Sequence, residues 1–306
     1  MRNRRTWIEI KKHRQLYMLL LIPIIYIIVF HYIPMIGVQI GFRNYNFTDG
    51  MWRSPWVGFE NFIKFFKAYH FKRIMVNTIC LSFYGTFAGF PIPIVFALLL
   101  NVIFNIKYRK LIQLVTYMPH FISTVVMVGM MMSFLNPISG FVSSIYKIIG
   151  ISSVPNLFGS APIFRHLYVW SGIWQNMGWN TIIFMSVLSS SDPELHEAMQ
   201  MDGASRFTRV IKLDLQCILP IATILLILNA GSIMNVGFEK VYLMQNNMNL
   251  STSEVISTYV YKIGISASRP NYSYGTAIGF FNSVVNFFLL VFVNLVASRY
   301  GRTSLW

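Results

Sequence analysis

The sequence predicts an all-α integral membrane protein with about six transmembrane helices. Of 306 residues, 55% are hydrophobic and 11% charged, and the mean hydropathy is +0.54; soluble domains carry about 25% charged residues. The apolar residues fall into runs long enough to cross about 30 Å of hydrocarbon, which takes roughly 20 residues. Between the fourth and fifth runs lies the only long polar stretch of the second half, Asp192 to Pro220.

In chain order the predicted spans are Leu16–Met35, Ile79–Phe104, Ile112–Leu135, Leu167–Ser189, Cys217–Val236 and Thr276–Ala297. Residues 1–15 form a basic N-terminal segment (Arg2, Arg4, Arg5, Lys11, Lys12, Arg14), and residues 16–306 form one membrane domain. The apolar run after the basic segment is too long for a signal peptide and lacks a small-residue cleavage site, so it reads as an uncleaved first helix. The stretch from Ile138 to Phe158 is interrupted by Gly150 and Pro155 and does not make a seventh span. Between the first two spans, FENFIKFFKAYHFKRI reads as an amphipathic helix on the outer surface, serving either packing or reception of a partner.

Charge sets the orientation. Fourteen of the 25 Lys and Arg residues lie on the N-terminal side, in much shorter loops than the rest. The positive-inside rule therefore places both termini and the polar stretch in the cytoplasm of a cell whose plasma membrane holds the protein. The net charge of +15 is read as attraction to anionic lipid head groups rather than to nucleic acid, because the basic residues flank spans. Cys80 and Cys217 sit at or inside spans and provide neither a disulfide framework nor a metal site. No glycine-rich phosphate loop is present, so the chain is not expected to hydrolyse ATP, and no catalytic or metal-binding constellation is expected in the spans.

All ten carboxylates can be placed in loops or at membrane edges. That argues against an ion-coupled secondary transporter, which usually carries ionisable groups within the bilayer. The polar residues of the spans are neutral: Asn176, Trp179 and Asn180 in the fourth, Asn229, Ser232 and Asn235 in the fifth, Asn282 and Asn286 in the sixth. Amides and hydroxyls beside aromatic rings suit a sugar-lined path. The same residue types also bind membrane helices together, and the two readings stay open.

The polar stretch reads as a helical hairpin. Asp192 caps a helix with Pro193 at its first position and Glu194 in its first turn. Asp202-Gly203 ends it, since glycine tolerates the left-handed geometry of a helix stop. A second helix starts at Ala204-Ser205, with Arg206, Arg209 and Lys212 along one side and Phe207, Val210 and Ile211 on another.

Glu197-Ala198-Met199, then Asp202-Gly203-Ala204, Phe207 and the run through Arg209 to Leu215 resemble the EAA loop of binding-protein-dependent ABC importers, here residues 192–216. Met199 stands where the family has Ala, and Gln216 where it has Pro. Further matches resemble the sugar permeases of this family, in particular the polysaccharide branch also called the lipoprotein-B-like permeases. They are Phe30 to Pro34, Phe42 to Phe47, Trp56 to Phe62, Val236 to Met244, Ser253 to Tyr261 and Thr303 to Trp306.

The resemblance implies the type I importer fold, a permease rather than an enzyme, and no cofactor in this chain. ATP and Mg would be held by a separate ATPase that docks on Glu197, Ala198, Asp202, Gly203, Ala204, Phe207 and Arg209. It further implies a second permease subunit, a paralogue rather than an identical copy, and an extracytoplasmic binding protein that delivers an oligosaccharide. The runner-up is an importer of peptides or amino acids.

Overall fold

A computed structural model describes residues 12–151 and 153–300. The basic residues Arg2, Arg4, Arg5, Lys11 and Arg302 and the segment Thr303 to Trp306 lie outside them. Among the described residues the chain is helical, with a single β-bridge between Arg43 and Trp56. Two compact units are present: residues up to Lys67 with Lys262–Phe280, and Ala68–Tyr261 with the residues from Phe281 onward.

In the first unit, α1 (Arg14–Phe42) runs unbroken through a π segment at Ile28–Tyr32 into 3-10 turns at Ile36–Phe42. Gly41 lets the end of α1 touch backbone: a Cβ there would stand 3.1 Å from Ala277. The predicted amphipathic helix is realised as α2 (Glu60–Lys67), which buries Phe62 and Phe65 and exposes Lys64. Asn61 donates to the carbonyls of Gly41 and Arg43, at 3.0 and 3.2 Å.

The second unit begins with α3 (Phe71–Asn101), which starts eight residues before the predicted span and includes Pro91 and Pro93. The third predicted span, Ile112–Leu135, is not one straight helix. It consists of α4 (Ile106–Phe121) and α5 (Thr124–Phe134), bent by 96°. Pro119 cannot donate in the last turn, and Ser123 caps α5 by accepting from Val126 N at 3.3 Å. After the short helix α6 (Phe141–Ile148) comes α7 (Ala161–Ser189). Its length of about 43 Å exceeds the roughly 30 Å hydrocarbon core of a bilayer, but Arg165, His166, Gln175, Asn176 and Asn180 make it polar. Among the described residues four helices are long and apolar enough to cross a membrane, or five if α4 and α5 form one span; α7 stands in the place of the remaining predicted span.

The hairpin follows as α8 (Pro193–Met201) and α9 (Arg206–Ala230), α9 containing a π segment at Val210–Asp214. Next come α10 (Phe238–Met244) and α11 (Ile256–Tyr261). The last helix, α12, is Tyr272–Tyr300.

One core joins Ala97 and Leu100 of α3, Phe184 and Leu188 of α7, and Ile218 and Ala222 of α9. A second gathers Leu81, Met127, Phe164, Val241 and Met244 from α3, α5, α7 and α10. Apolar side chains are thus shared around α7. At one point α7 meets α4 backbone to backbone: a Cβ on Gly178 would lie 2.2 Å from Thr116 O.

Candidate functional site

The bend between α4 and α5 exposes backbone that a straight helix would satisfy internally, and α7 supplies one replacement bond and a side-chain contact. Gln175 Nε2 donates to Ile122 O at 2.7 Å, and His120 Nδ1 lies 2.9 Å from Asn176 Oδ1. Asn176 also donates to Gly172 O at 3.0 Å. His120 stacks on Trp179 with centroids 4.4 Å apart, and Phe121 meets the same indole edge-on.

Beside this polar stripe, within the second unit, lies a cavity of about 740 Å³ walled by α3, α7, α9 and α10. That volume is within the roughly 300 to 1,000 Å³ of small-molecule sites. Asn176, Trp179, Asn180 and Asn229 line it, with Tyr168, Gly172 and Lys240. Among the described residues no hydrogen-bond partner meets the side chains of Asn180 or Asn229, whereas Asn176 is engaged on both ends of its amide.

The other four predicted path residues lie elsewhere. Asn282 and Asn286 both donate to Asn235 Oδ1, at 2.8 and 3.1 Å. Asn286 Oδ1 accepts from Met234 N at 2.9 Å. This knot ties the chain after α9 to α12. Ser232 donates to the backbone of Asn229 at 3.3 Å.

Lys240 is the one charged residue lining the cavity, and no carboxylate pairs with it among the described residues. Its Nζ donates to Tyr168 O at 2.7 Å and sits 4.8 Å from the Tyr168 ring centre. Burial lowers the ammonium from its ordinary value to about 8, because the charged form loses solvation. Lys240 was not singled out by sequence reading, since a lone cation in a loop between spans carries no periodic signal.

The hairpin is built as its residues predict. Asp192 accepts from Glu194 N at 2.9 Å. At the helix stop Gly203 has φ +75°, with Gly203 N on Gln200 O at 3.1 Å and Ala204 N on Met199 O at 2.9 Å. That pair of bonds is the Schellman arrangement. Ser205 caps α9 by accepting from Thr208 N at 3.2 Å. Arg209 braces the two helices through Gln200 Oε1 at 3.0 Å, and His196 reaches Asp214 at 3.0 Å. The basic row is therefore partly engaged within the chain, and Arg206 lies over the Phe104 ring at 4.5 Å. Glu197, Ala198, Asp202 and Gly203 are exposed, Ala204 is half-buried, and Met201 and Phe207 stand out at 87% and 74% exposure.

Residues 76–302 match the family described as the binding-protein-dependent transport system inner membrane component. The chain belongs to this family. The permease is 37% identical over 302 residues to Protein LplB of Bacillus subtilis (strain 168), covering 98% of this chain and 94% of LplB. It is 33% identical over 305 residues to the polygalacturonan/rhamnogalacturonan transport system permease protein YteP of the same organism, covering 100% and 94%. Among solved structures it resembles a chain of a bacterial ABC transporter involved in the import of the acidic polysaccharide alginate. The TM-score is 0.88 and the identity 36%, over 97% of this chain and 99% of that one. The same alginate transporter in complex with a pentasaccharide-bound periplasmic protein gives 0.89 and 35%, over 98% and 100%. The permease is thus a multi-pass membrane transport subunit and not a catalytic one.

Proposed function

We propose that this permease forms the translocation path for an oligosaccharide in an ATP-driven importer. The observation that carries the reading is the cavity, which the free amides of Asn180 and Asn229 line together with Trp179, supported by relatives named for polysaccharide transport. Amides exchange water for sugar hydroxyls, and an aromatic face covers the apolar side of a pyranose. Of the eight residues with a predicted path role, Asn176, Trp179, Asn180 and Asn229 keep it; Ser232, Asn235, Asn282 and Asn286 act in packing.

ATP and Mg²⁺ belong to a separate ATPase, which grips the hairpin through Glu197, Ala198, Asp202, Gly203, Ala204 and the exposed Phe207, while Arg209 holds its two helices together. Residues 192–216 then couple residues 16–306, the transport domain, to nucleotide. The residues from Arg206 to the cavity-lining Asn229 belong to one helix, so displacement at the cytoplasmic end reaches the path directly. Both termini, including residues 1–15, lie in the cytoplasm. A paralogous second permease completes the pathway, and an extracytoplasmic binding protein delivers the sugar. Preference for one direction requires different affinities in the outward and inward states.

Uptake by a strain lacking this gene, with and without complementation, tests the reading. Labelled oligosaccharide uptake should return with the gene and resist competition by peptides and amino acids. Restored peptide uptake without sugar uptake would replace the assignment by the runner-up.

A further inference from the structure

Lys240 is placed where a structural lysine has little reason to be. It projects from α10, a helix of seven residues, into a cavity otherwise lined by neutral groups. One of its three donors is used, on Tyr168 O at 2.7 Å. The Tyr168 ring holds the ammonium in place from 4.8 Å, while Gly172 leaves room for it: a Cβ at Gly172 would come within 3.0 Å of Nζ. Two donors remain, and no carboxylate of the described chain approaches them. A half-buried cation held in this way gains most from an anion that arrives with the ligand, because a charge-assisted hydrogen bond replaces lost hydration.

We infer that Lys240 reads a carboxylate on the transported sugar, so that the cavity favours oligosaccharides of uronic acids over their neutral counterparts. This rests on the oligosaccharide path proposed above and adds the charge of the cargo. Asn180 and Asn229 contact hydroxyls that both kinds of sugar share; Lys240 contacts the one group that differs. The Tyr168 carbonyl sets where that group must sit.

The test measures uptake in cells of labelled oligogalacturonate and oligomannuronate, and of the same oligomers with their carboxyl groups reduced to alcohols. Uptake is normalised to the amount of assembled complex in the membrane, which removes any effect of losing the Tyr168 tether. The wild-type protein should take up at least one acidic oligomer in preference to its reduced form. Lys240→Met should lower the acid-to-neutral ratio by roughly tenfold or more, the scale of one charged hydrogen bond, and Lys240→Arg should restore most of it. Preferential uptake of the reduced oligomers by the wild type, or an unchanged ratio in Lys240→Met, overturns the inference and leaves the oligosaccharide path standing. Uptake of none of the four overturns the inference, and the complementation experiment above then decides the oligosaccharide path separately.

Discussion

Gly178→Ala sets two known effects against each other, and the geometry decides the sign. In a helix interior, alanine is favoured over glycine by about 1 kcal/mol. At position 178 the added methyl would lie 2.2 Å from Thr116 O, 2.5 Å from Thr116 C and 3.0 Å from the Tyr117 ring. The first two atoms are backbone and cannot rotate aside, so α7 and α4 must part by about 1 Å to restore contact distances. Parting them stretches the Gln175 bond to Ile122 and the Asn176 contact to His120, now 2.7 and 2.9 Å. Overpacking of this kind costs about 1 to 3 kcal/mol, and lost buried hydrogen bonds add about 1 each, so the net effect is destabilising. Gly129→Ala in α5, where a Cβ meets nothing within 4 Å, provides the control and should be neutral or stabilising. Thermal unfolding of the purified permease complex would show the midpoint fall for Gly178→Ala and hold or rise for Gly129→Ala. Equal midpoints for both variants would refute the close approach of α7 to α4.

Three further outcomes are expected. Gly203→Val should abolish co-purification of the ATPase while membrane insertion persists: the site is open on all sides, and the obstacle is φ +75°, which costs an L-residue about 1 to 2 kcal/mol. Gly203→Asn, which tolerates that geometry, should retain more of the complex. In a protein without its native cysteines, Ser205→Cys should resist an impermeant thiol reagent in intact cells, and Asn247→Cys, exposed between α10 and α11 in the loop between the fifth and sixth spans, should react; the opposite pattern would invert the topology. Asn180→Ala should reduce uptake up to roughly tenfold at constant complex level, the value of one hydrogen bond of 0.5 to 1.5 kcal/mol, whereas Asn286→Ala should reduce the complex itself. Loss of complex in the Asn180 variant would move that residue from the path to packing.

Features written in local chemistry were legible in the sequence. Asp192, Pro193, Gly203 and Ser205 each act on backbone within three residues, so the hairpin could be drawn from its own letters. The apolar runs were legible as helices for the same reason. The break between α4 and α5 was hidden, because Pro119 and Ser123 interrupt a run that remains apolar on both sides, and hydropathy averages over the interruption. The residues with a predicted path role divided along a different line. Asn176 and Asn180 share a face by spacing alone, and both reach the cavity. Asn229, Asn235, Asn282 and Asn286 look alike in sequence, and what separates them is whether a distant part of the chain brings an amide within hydrogen-bond distance. Lys240 depends wholly on such distant neighbours, since Tyr168 and Gly172 belong to another helix.

The π segment at Val210–Asp214 gives α9 one residue to spare. A π turn accommodates one residue more than an α turn, and each residue of an α-helix advances about 100° and 1.5 Å. Removing a single residue there would leave an ordinary α turn and keep Arg206 and Phe207 in phase with Asn229, whereas removing one from the α-helical stretch beyond it would turn them by about 100° and shorten the rod by about 1.5 Å. The angular register between the exposed hairpin face and the cavity wall is therefore buffered at these five residues: a deletion among them would leave grip and path geared together, and the same deletion further along the rod would act as a clutch and disconnect one from the other.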